Sequence, residues 1–136
     1  MDREAYVRRI KNDEGLRDRV YLDSKGIPTC GYGHALHIWS PVPLDICERF
    51  LEEDLSRVDR EYPLLRLDLD GARMHVIKCM LFQMGYGGVK KFKRFLAAAR
   101  AKDWGLAAQE MLESQWALLD SPARALRLAD IMRTGI

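Results

Sequence analysis

Residues 13–34 read DEGLRDRVYLDSKGIPTCGYGH, and they interrupt a chain whose apolar residues otherwise recur at helical spacing. Residues 20–22 and 27–32 are rich in β-branched and aromatic side chains, and the turn formers Asp-Ser-Lys-Gly lie between them. This pattern predicts a strand, a turn and a second strand. Because Pro28 has no amide hydrogen for a neighbouring strand, its strand is predicted to lie at the edge of the sheet.

Helices are predicted on both sides of this hairpin. Asp2 can cap a helix that ends near residue 12, and a long helix is expected to begin near residue 44. A helix from residue 72 onward is apolar on nearly every face between Val76 and Met84, which is typical of a central buried helix, and Gly85, Gly87 and Gly88 are expected to end it. The fold class is therefore α+β and predominantly helical, with one small hairpin. Shorter helices are expected at about 89–100, 103–118 and 122–133, the last two with Asp103 and Ser121 as N-caps.

The composition restricts the function classes. With 136 residues, 48% of them hydrophobic, the chain suits one domain with an ordinary core. Its 22 Lys and Arg against 20 Asp and Glu give a net charge of +2, which does not single out nucleic acid as a partner. Three widely spaced cysteines predict no disulfide framework and suit a reducing compartment. The charged N-terminus and the lack of a long apolar run predict a soluble cytoplasmic protein with no membrane segment.

Acids, a hydroxyl and glycines gather in the hairpin stretch. Glu14 stands where the first predicted helix stops, and Asp23 stands at the turn. In glycoside cleavage, one carboxylic acid protonates the leaving oxygen while a carboxylate activates water or attacks the sugar. Glu14, at a helix end expected to be less solvated, is the better acid, and Thr29 could help Asp23 to hold a water. Gly31 and Gly33 permit close approach of a substrate or helix to the backbone. The alternative is structural, since an aspartate at a hairpin turn is usually a turn former.

Other clusters also have competing interpretations. His34 and His37 could bind a metal with Asp45, but no further ligand is evident, so a metal site is not predicted. We instead expect His34 to form an ion pair with Asp54 that supports the fold and has no catalytic duty. The basic run at 90–95 suggests nucleic-acid binding, yet its phenylalanines share one helical face, which predicts a solvated surface helix.

The hairpin stretch resembles the active-site segment of the phage T4 lysozyme family of glycoside hydrolases, in the run Glu14-Gly15-Leu16-Arg17 and then Tyr21-x-Asp23-x-x-Gly26-x-x-Thr29-x-Gly31-x-Gly33-His34. The resemblance continues, in order, through Phe50-Leu51-x-x-Asp54, Phe82-Gln83-Met84-Gly85, Ser114-x-Trp116, Arg124-Ala125-x-Arg127 and Arg133-Thr134-Gly135. It implies a single lysozyme-like domain over residues 1–136. In that domain a hairpin lobe with a linking helix takes about 13–60, and a helical lobe takes about 1–12 and 61–136.

The resemblance also implies a function. It indicates an inverting muramidase without cofactor or metal, which hydrolyses the β-1,4 bond between N-acetylmuramic acid and N-acetylglucosamine in peptidoglycan. By carry-over, Glu14 is the general acid, and Asp23 and Thr29 position the attacking water. The residues implied to support the substrate cleft are Gly31, Tyr32, Gln83, Trp116 and Arg124, the last close to Glu14. The implied structural ion pairs are His34 with Asp54 and Asp13 with Arg127.

The biological role implied is that of a monomeric phage endolysin, which leaves the host cytoplasm through holin lesions and reaches the periplasm and cell wall. Three alternatives remain open: a virion-associated lysozyme for entry, a lytic transglycosylase that uses a hydroxyl of the sugar in place of water, and a non-catalytic wall-binding module. The chain departs from the best-known family member between His34 and Asp54, where it is shorter, and at Gln115, where that member has arginine. A more open substrate cleft is expected from the shorter segment.

Overall fold

A computed structural model describes residues 2–136, and Met1 lies outside the described residues. The chain forms two compact units, one that ends at Leu44 and one over Asp45–Ile136. Within the described residues, helices alternate with turns throughout and one small antiparallel sheet is present, in unit 1. The predicted α+β class, mainly helical, is confirmed. The assignment of residues 1–12 to the helical lobe concerns how the two units combine, and it stays a prediction.

Unit 1 opens with α1 (Arg3–Glu14). Asp2 caps this helix as predicted, because its carboxylate accepts a hydrogen bond from the amide of Glu4 at 3.0 Å. Gly15 ends the helix with a φ of 72°, and its amide donates to the carbonyl of Lys11 at 2.9 Å. The helix runs past its expected end near residue 12, so Glu14 belongs to its last turn.

The hairpin is part of a three-stranded antiparallel sheet in the order β1 (Arg17–Leu22), β2 (Pro28–Gly31), β3 (His34–Ala35). The prediction that Pro28 marks an edge strand is wrong, because β2 is the central strand. Pro28 is the first residue of β2, a position where a missing amide hydrogen is tolerated. Its carbonyl accepts a hydrogen bond from the amide of Leu36 at 2.7 Å, which joins the segment after β3 to the start of β2.

The chain continues with α2 (Leu44–Glu61), which begins where predicted, a 3₁₀ turn (Tyr62–Leu65) and α3 (Gly71–Val89). The sequence indicated that Gly85, Gly87 and Gly88 would end α3. Instead Gly85 kinks the helix with a φ of 71° and a ψ of 170°, and helical structure resumes up to Val89. A glycine can adopt this conformation without the steric clash of a Cβ atom, so it bends the helix without ending it.

Four shorter elements follow, namely α4 (Lys93–Arg100), α5 (Trp104–Leu112), a π-helical turn (Trp116–Asp120) and α6 (Pro122–Thr134). Asp103 caps α5 as predicted, since its Oδ1 accepts a hydrogen bond from the amide of Leu106 at 3.2 Å. Ser121 precedes α6, but its side chain does not cap that helix, so this prediction is wrong. Its hydroxyl accepts a hydrogen bond from Nε2 of Gln83 at 2.7 Å instead.

The hydrophobic core lies in unit 2. As predicted for a central helix, α3 contributes buried side chains, namely Val76, Ile77, Met80 and Leu81. The helix α6 packs against α3, and α4 and α5 contribute to the same core cluster. In unit 1, Thr29 is the one buried side chain among the described residues. Cys30, Cys47 and Cys79 are in the reduced thiol form. Within residues 2–136 no helix is long and apolar enough to cross a membrane.

Candidate active site

The turn between β1 and β2 carries Asp23. Its Oδ1 accepts two backbone hydrogen bonds, from the amide of Lys25 at 2.8 Å and from the amide of Ile27 at 2.9 Å. The amide of Asp23 donates in return to the carbonyl of Ile27 at 3.0 Å. The structural interpretation of Asp23 as a turn former is therefore confirmed. It leaves a chemical role open, because Oδ2 accepts no hydrogen bond from any other residue in the described chain.

Thr29 lies beside this turn on β2, with only 4% of its surface exposed. Its hydroxyl donates to the carbonyl of Ile27 at 2.8 Å. Because a hydroxyl carries one hydrogen, Oγ1 can offer any further partner only its acceptor lone pairs. The backbone of Ile27 thus holds both predicted water-binding side chains, Asp23 through its amide and Thr29 through its carbonyl.

Glu14, in the last turn of α1, approaches the corner between β2 and β3. A Cβ atom on Gly33 would lie 2.5 Å from Oε2 of Glu14 and 2.9 Å from its Cδ. The expectation that a glycine here permits close approach is therefore confirmed for Gly33, whose φ of 74° also favours glycine. Glu14 itself is exposed, unlike the less solvated position expected for it, since the neighbouring glycine has no side chain to cover the carboxylate.

The three predicted catalytic side chains all belong to unit 1. Asp23 and Thr29 share the backbone of Ile27, and the carboxylate of Glu14 borders Gly33. Thr29 and Gly33 are four residues apart, which is at most about 14 Å of extended chain. The predicted proton donor and the predicted water-binding pair therefore border the same small sheet of unit 1.

Gly31 and Tyr32 belong to the corner beside Glu14. Gly31 has a φ of 66°, but a Cβ atom there would meet nothing within 4 Å. The Nζ of Lys11 lies 5.2 Å from the ring centroid of Tyr32, and this cation–π contact ties the corner to the last turn of α1. Tyr32 thus helps to fix the corner against α1, and the predicted contact of Gly31 and Tyr32 with substrate stays a prediction.

In unit 2, Gln83 and Trp116 belong to one hydrogen-bonded chain. The Nε1 of Trp116 donates to Oε1 of Gln83 at 3.0 Å, and Nε2 of Gln83 donates to the Ser121 hydroxyl at 2.7 Å. Trp116 is 3% exposed and packs edge-on against Phe92, with ring centroids 6.3 Å apart. Trp116 is therefore a core residue that orients the exposed amide of Gln83. Sequence reasoning missed Ser121 as a partner, because a serine before a helix is first interpreted as a cap.

Arg124 is exposed on α6 and lines a cavity of about 810 Å³ that lies within unit 2. Its walls are largely apolar, and an ion pair between Lys78 and Asp59 at 3.0 Å borders it. The apolar side chains that line this cavity are Leu51, Leu55, Val58, Phe82 and Leu128.

Several predicted contacts join residues of different units and stay predictions. His34 and Asp54 are both exposed, so neither is a buried charge that requires a partner. Among residues 2–136, no group of three or more His, Cys, Asp or Glu side chains is placed to hold a metal ion. The cross-unit pairs are Glu14 with Arg124, His34 with Asp54 and Asp13 with Arg127.

The sequence profile of the phage lysozymes matches residues 11–124. A probable T4-type lysozyme of Dictyostelium discoideum is 30% identical, over 93% of this chain and 92% of that protein. The pre-baseplate central spike protein Gp5 of Enterobacteria phage T4 is 29% identical over 93% of this chain, which spans only 27% of the spike protein. The endolysin of Salmonella phage P22 is 30% identical over 58% of this chain and 60% of its own length. The residues that the profile matches include every predicted catalytic and cleft residue, from Glu14 to Arg124.

Proposed function

The chain belongs to the phage lysozyme family, and on that premise we propose that it hydrolyses the β-1,4 bond between N-acetylmuramic acid and N-acetylglucosamine in peptidoglycan, with inversion at the anomeric carbon. The family and the names of its relatives support a glycoside hydrolase of lysozyme type. The geometry of unit 1 supports the finer assignment, because it offers one carboxylic acid and a separate site for a water.

Glu14 is the proposed proton donor. Its protonated carboxyl group gives its proton to the glycosidic oxygen while the bond between that oxygen and the anomeric carbon breaks. Gly33 keeps side-chain atoms away from the Glu14 carboxylate, so the sugar oxygen can approach it.

Asp23 and Thr29 are proposed to hold the attacking water. The Thr29 proton is committed to the Ile27 carbonyl, so Oγ1 of Thr29 and Oδ2 of Asp23 are both acceptors. A water between them donates both of its hydrogens and directs a lone pair at the anomeric carbon. As the new carbon–oxygen bond forms on the face opposite the leaving group, Asp23 takes one proton from the water. This pair of acceptors is the observation that carries the proposal.

Peptidoglycan digestion in water labelled with heavy oxygen tests the mechanism. The wild type should produce reducing muramic acid ends that carry the label. Glu14→Gln preserves shape but has no acidic proton, so it should melt at the same temperature and lose about 10²–10⁴-fold in rate. A fully active Glu14→Gln would rule out the role given to Glu14. Unlabelled anhydro ends would identify a lytic transglycosylase, and binding without any cleavage would identify a non-catalytic module.

The cleft roles of Gln83, Trp116 and Arg124 belong to the same proposal. Gln83 is exposed and its amide is oriented by two hydrogen bonds, which suits a group that must recognise a sugar or a stem peptide. Ser121→Ala removes one of these hydrogen bonds with the loss of a single oxygen atom. If Gln83 contacts substrate, this change should raise KM. The melting temperature should stay close to that of the wild type.

The cellular role is proposed to be that of an endolysin, and the similarity to the endolysin of phage P22 supports it. In this role the monomer is made in the host cytoplasm, passes holin lesions and acts on the wall from the periplasm. The similarity to a phage T4 spike protein over 93% of the chain supports the alternative of a virion-borne lysozyme for entry. Two experiments distinguish the roles. Detection of the protein in purified virions by mass spectrometry would indicate the virion-borne lysozyme, and lysis that depends on co-expression of a holin would indicate the endolysin.

A further inference from the structure

The segment after β3 contains a tryptophan in an unusual backbone conformation. The amide of Ser40 donates to the carbonyl of His37 at 3.1 Å, which closes a four-residue turn with Ile38 and Trp39 at its centre. Trp39 has a φ of 70°, a value that this turn position normally reserves for glycine. A positive φ at a bulky residue is a genuine outlier, and such strain concentrates at functional sites.

The side chain of Trp39 is 97% exposed, so burial of the indole does not compensate for the strained backbone. Ile38 is 89% exposed beside it and has no such strain. Within this loop the strained backbone conformation thus belongs to the residue with the one aromatic side chain. A requirement for a fixed orientation of the indole ring would explain why the strained conformation occurs at Trp39. Partition into lipid or a loose apolar contact would not require a fixed orientation.

The chemistry of the loop indicates a neutral ligand. From Ala35 to Leu44 the chain contains no Asp, Glu, Lys or Arg, and His37 is the one titratable side chain of this stretch, so it offers a charged polymer little complementary charge. The face of a pyranose ring presents C–H groups that are weakly positive, and the face of an indole is weakly negative. An exposed, oriented tryptophan therefore suits the flat face of an uncharged sugar ring.

The loop also begins next to the proposed water site. Thr29 pairs with Ala35 across β2 and β3, and Trp39 follows Ala35 by four residues, at most about 14 Å of extended chain. A glycan strand whose bond is attacked by the water at Asp23 and Thr29 continues for many sugars on both sides of that bond. Another sugar of the same strand can thus reach the loop.

We propose that Trp39 is a stacking platform for an N-acetylamino sugar of the substrate strand, at a distance from the bond that is cut. This inference rests on the proposed function and deepens it, since the platform would make the enzyme favour long glycan strands. Trp39 does not touch the reacting atoms, so it contributes to binding and not to the chemical step.

The test measures kcat and KM on glycan strands of two lengths, long strands and the shortest fragment that is still cut. Trp39→Ala should raise KM on long strands about tenfold, which corresponds to about 1.4 kcal/mol, and leave kcat unchanged. On the shortest fragment neither constant should change. Ile38→Ala is the matched control, equally exposed in the same turn but unable to stack, and should behave as wild type. Trp39→Tyr should recover part of the affinity.

Two measurements separate a failure of this inference from a failure of the proposed function. Binding of long strands to the Glu14→Gln protein, with and without Trp39→Ala, needs no catalysis. If Glu14 is essential for cleavage but Trp39→Ala changes neither KM nor binding, the platform alone is refuted. If nothing is cleaved but binding still requires Trp39, the platform stands and the hydrolase assignment falls. Two further results would overturn the platform. One is an equal loss of affinity for long strands from Ile38→Ala and from Trp39→Ala. The other is a Trp39→Ala protein that still binds glycan as the wild type does but no longer binds phosphatidylcholine vesicles.

Discussion

Gly33 and Gly31 show how much a single residue can matter through its surroundings. Both have a positive φ, but only Gly33 lies against Glu14. Gly33→Ala should cost about 1–2 kcal/mol of folding free energy and also displace the carboxylate, with a loss of activity of about 10²-fold. Gly31→Ala should show a similar loss of stability with much of the activity retained, because nothing lies within 4 Å of the added methyl group. Melting temperature and lysis rate are to be measured on both variants, and equal activities would contradict the role of Gly33.

At the same scale, the sequence could suggest only those candidate site residues whose side-chain type suits the proposed chemistry. Glu14, Asp23 and Thr29 could be chosen because proton transfer and water binding need acids and hydroxyls. The contribution of Ile27 could not be foreseen, since its amide and carbonyl perform it and every residue type except proline has both. The link between Gln83 and Ser121 spans 38 positions and has no periodic signal in the chain.

Among the elements, α3 carries its kink at one glycine. Gly85 has a φ of 71° inside the helix, whereas Gly87 has no positive φ and nothing within 4 Å of a built Cβ. Gly85→Ala should therefore destabilise the protein by about 1–3 kcal/mol. Gly87→Ala should stabilise it by about 0.5–1 kcal/mol, because alanine reduces the entropy of the unfolded chain. Urea unfolding of the two variants measures both effects, and a shift of the same sign in both would contradict the assignment of the kink.

The start of α3 gives the fold a dependence on acid. The pKa of Asp70 is lowered from its ordinary value of 3.8 by the backbone amide of Arg73 first, and then by a hydrogen bond from its guanidinium. A carboxyl group with a lowered pKa stabilises the folded state above its unfolded pKa, and this stabilisation is lost as the pH falls through the folded pKa. Asparagine at position 70 is also a good helix cap but carries no charge. When the pH is lowered below about 4, the melting temperature of Asp70→Asn should therefore fall less than that of the wild type.

The effect should stay below about 1 kcal/mol, because the side chain of Asp70 is 44% exposed. Asp68→Asn is the control, since Asp68 is an exposed acid nearby that caps no helix. Parallel melting curves for the wild type and Asp70→Asn over the acid range would show that the cap carries no charge effect.

Helices with an extended apolar pattern and the hairpin of β1 and β2 were predictable from the sequence, but the third strand of the sheet was not. The buried α3 and the caps at Asp2 and Asp103 follow from periodicity and residue type. β3 is two residues long, too short for any alternation to be visible, and its existence made the predicted edge position of β2 wrong. Pro28 fits a central strand because it stands at the start of that strand.

Across the whole molecule, burial is concentrated in one unit. Every fully buried large side chain that the structure describes is in unit 2, while Thr29 is the one buried residue described in unit 1. Native-state hydrogen exchange should therefore find the slowest amides in α3, near Ile77, with opening energies close to that of global unfolding. The amides of β1 and β2 should exchange through local opening of lower energy. Equal protection in the sheet and in α3 would contradict this expectation.

The sequence also limits what can be known at this scale. Apolar patterns indicate which face of a helix is buried, but they do not indicate which distant segment covers it. The predicted pair of Glu14 with Arg124 thus came from family resemblance alone. The pair of His34 with Asp54 was expected from the residue types as well as from the resemblance, and both pairs stay predictions.

The backbone of Ile27 has a consequence for anyone who would redesign this hairpin. Replacement of its side chain by another apolar one leaves the amide and carbonyl in place. A mutational scan would therefore show this position as tolerant and would not reveal its role. An inserted or deleted residue between Asp23 and Ile27 would instead disrupt the hydrogen bonds that the Ile27 backbone makes with Asp23 and Thr29, without altering any proposed catalytic side chain. The length of this loop therefore constrains the proposed site more than the identity of its residues does.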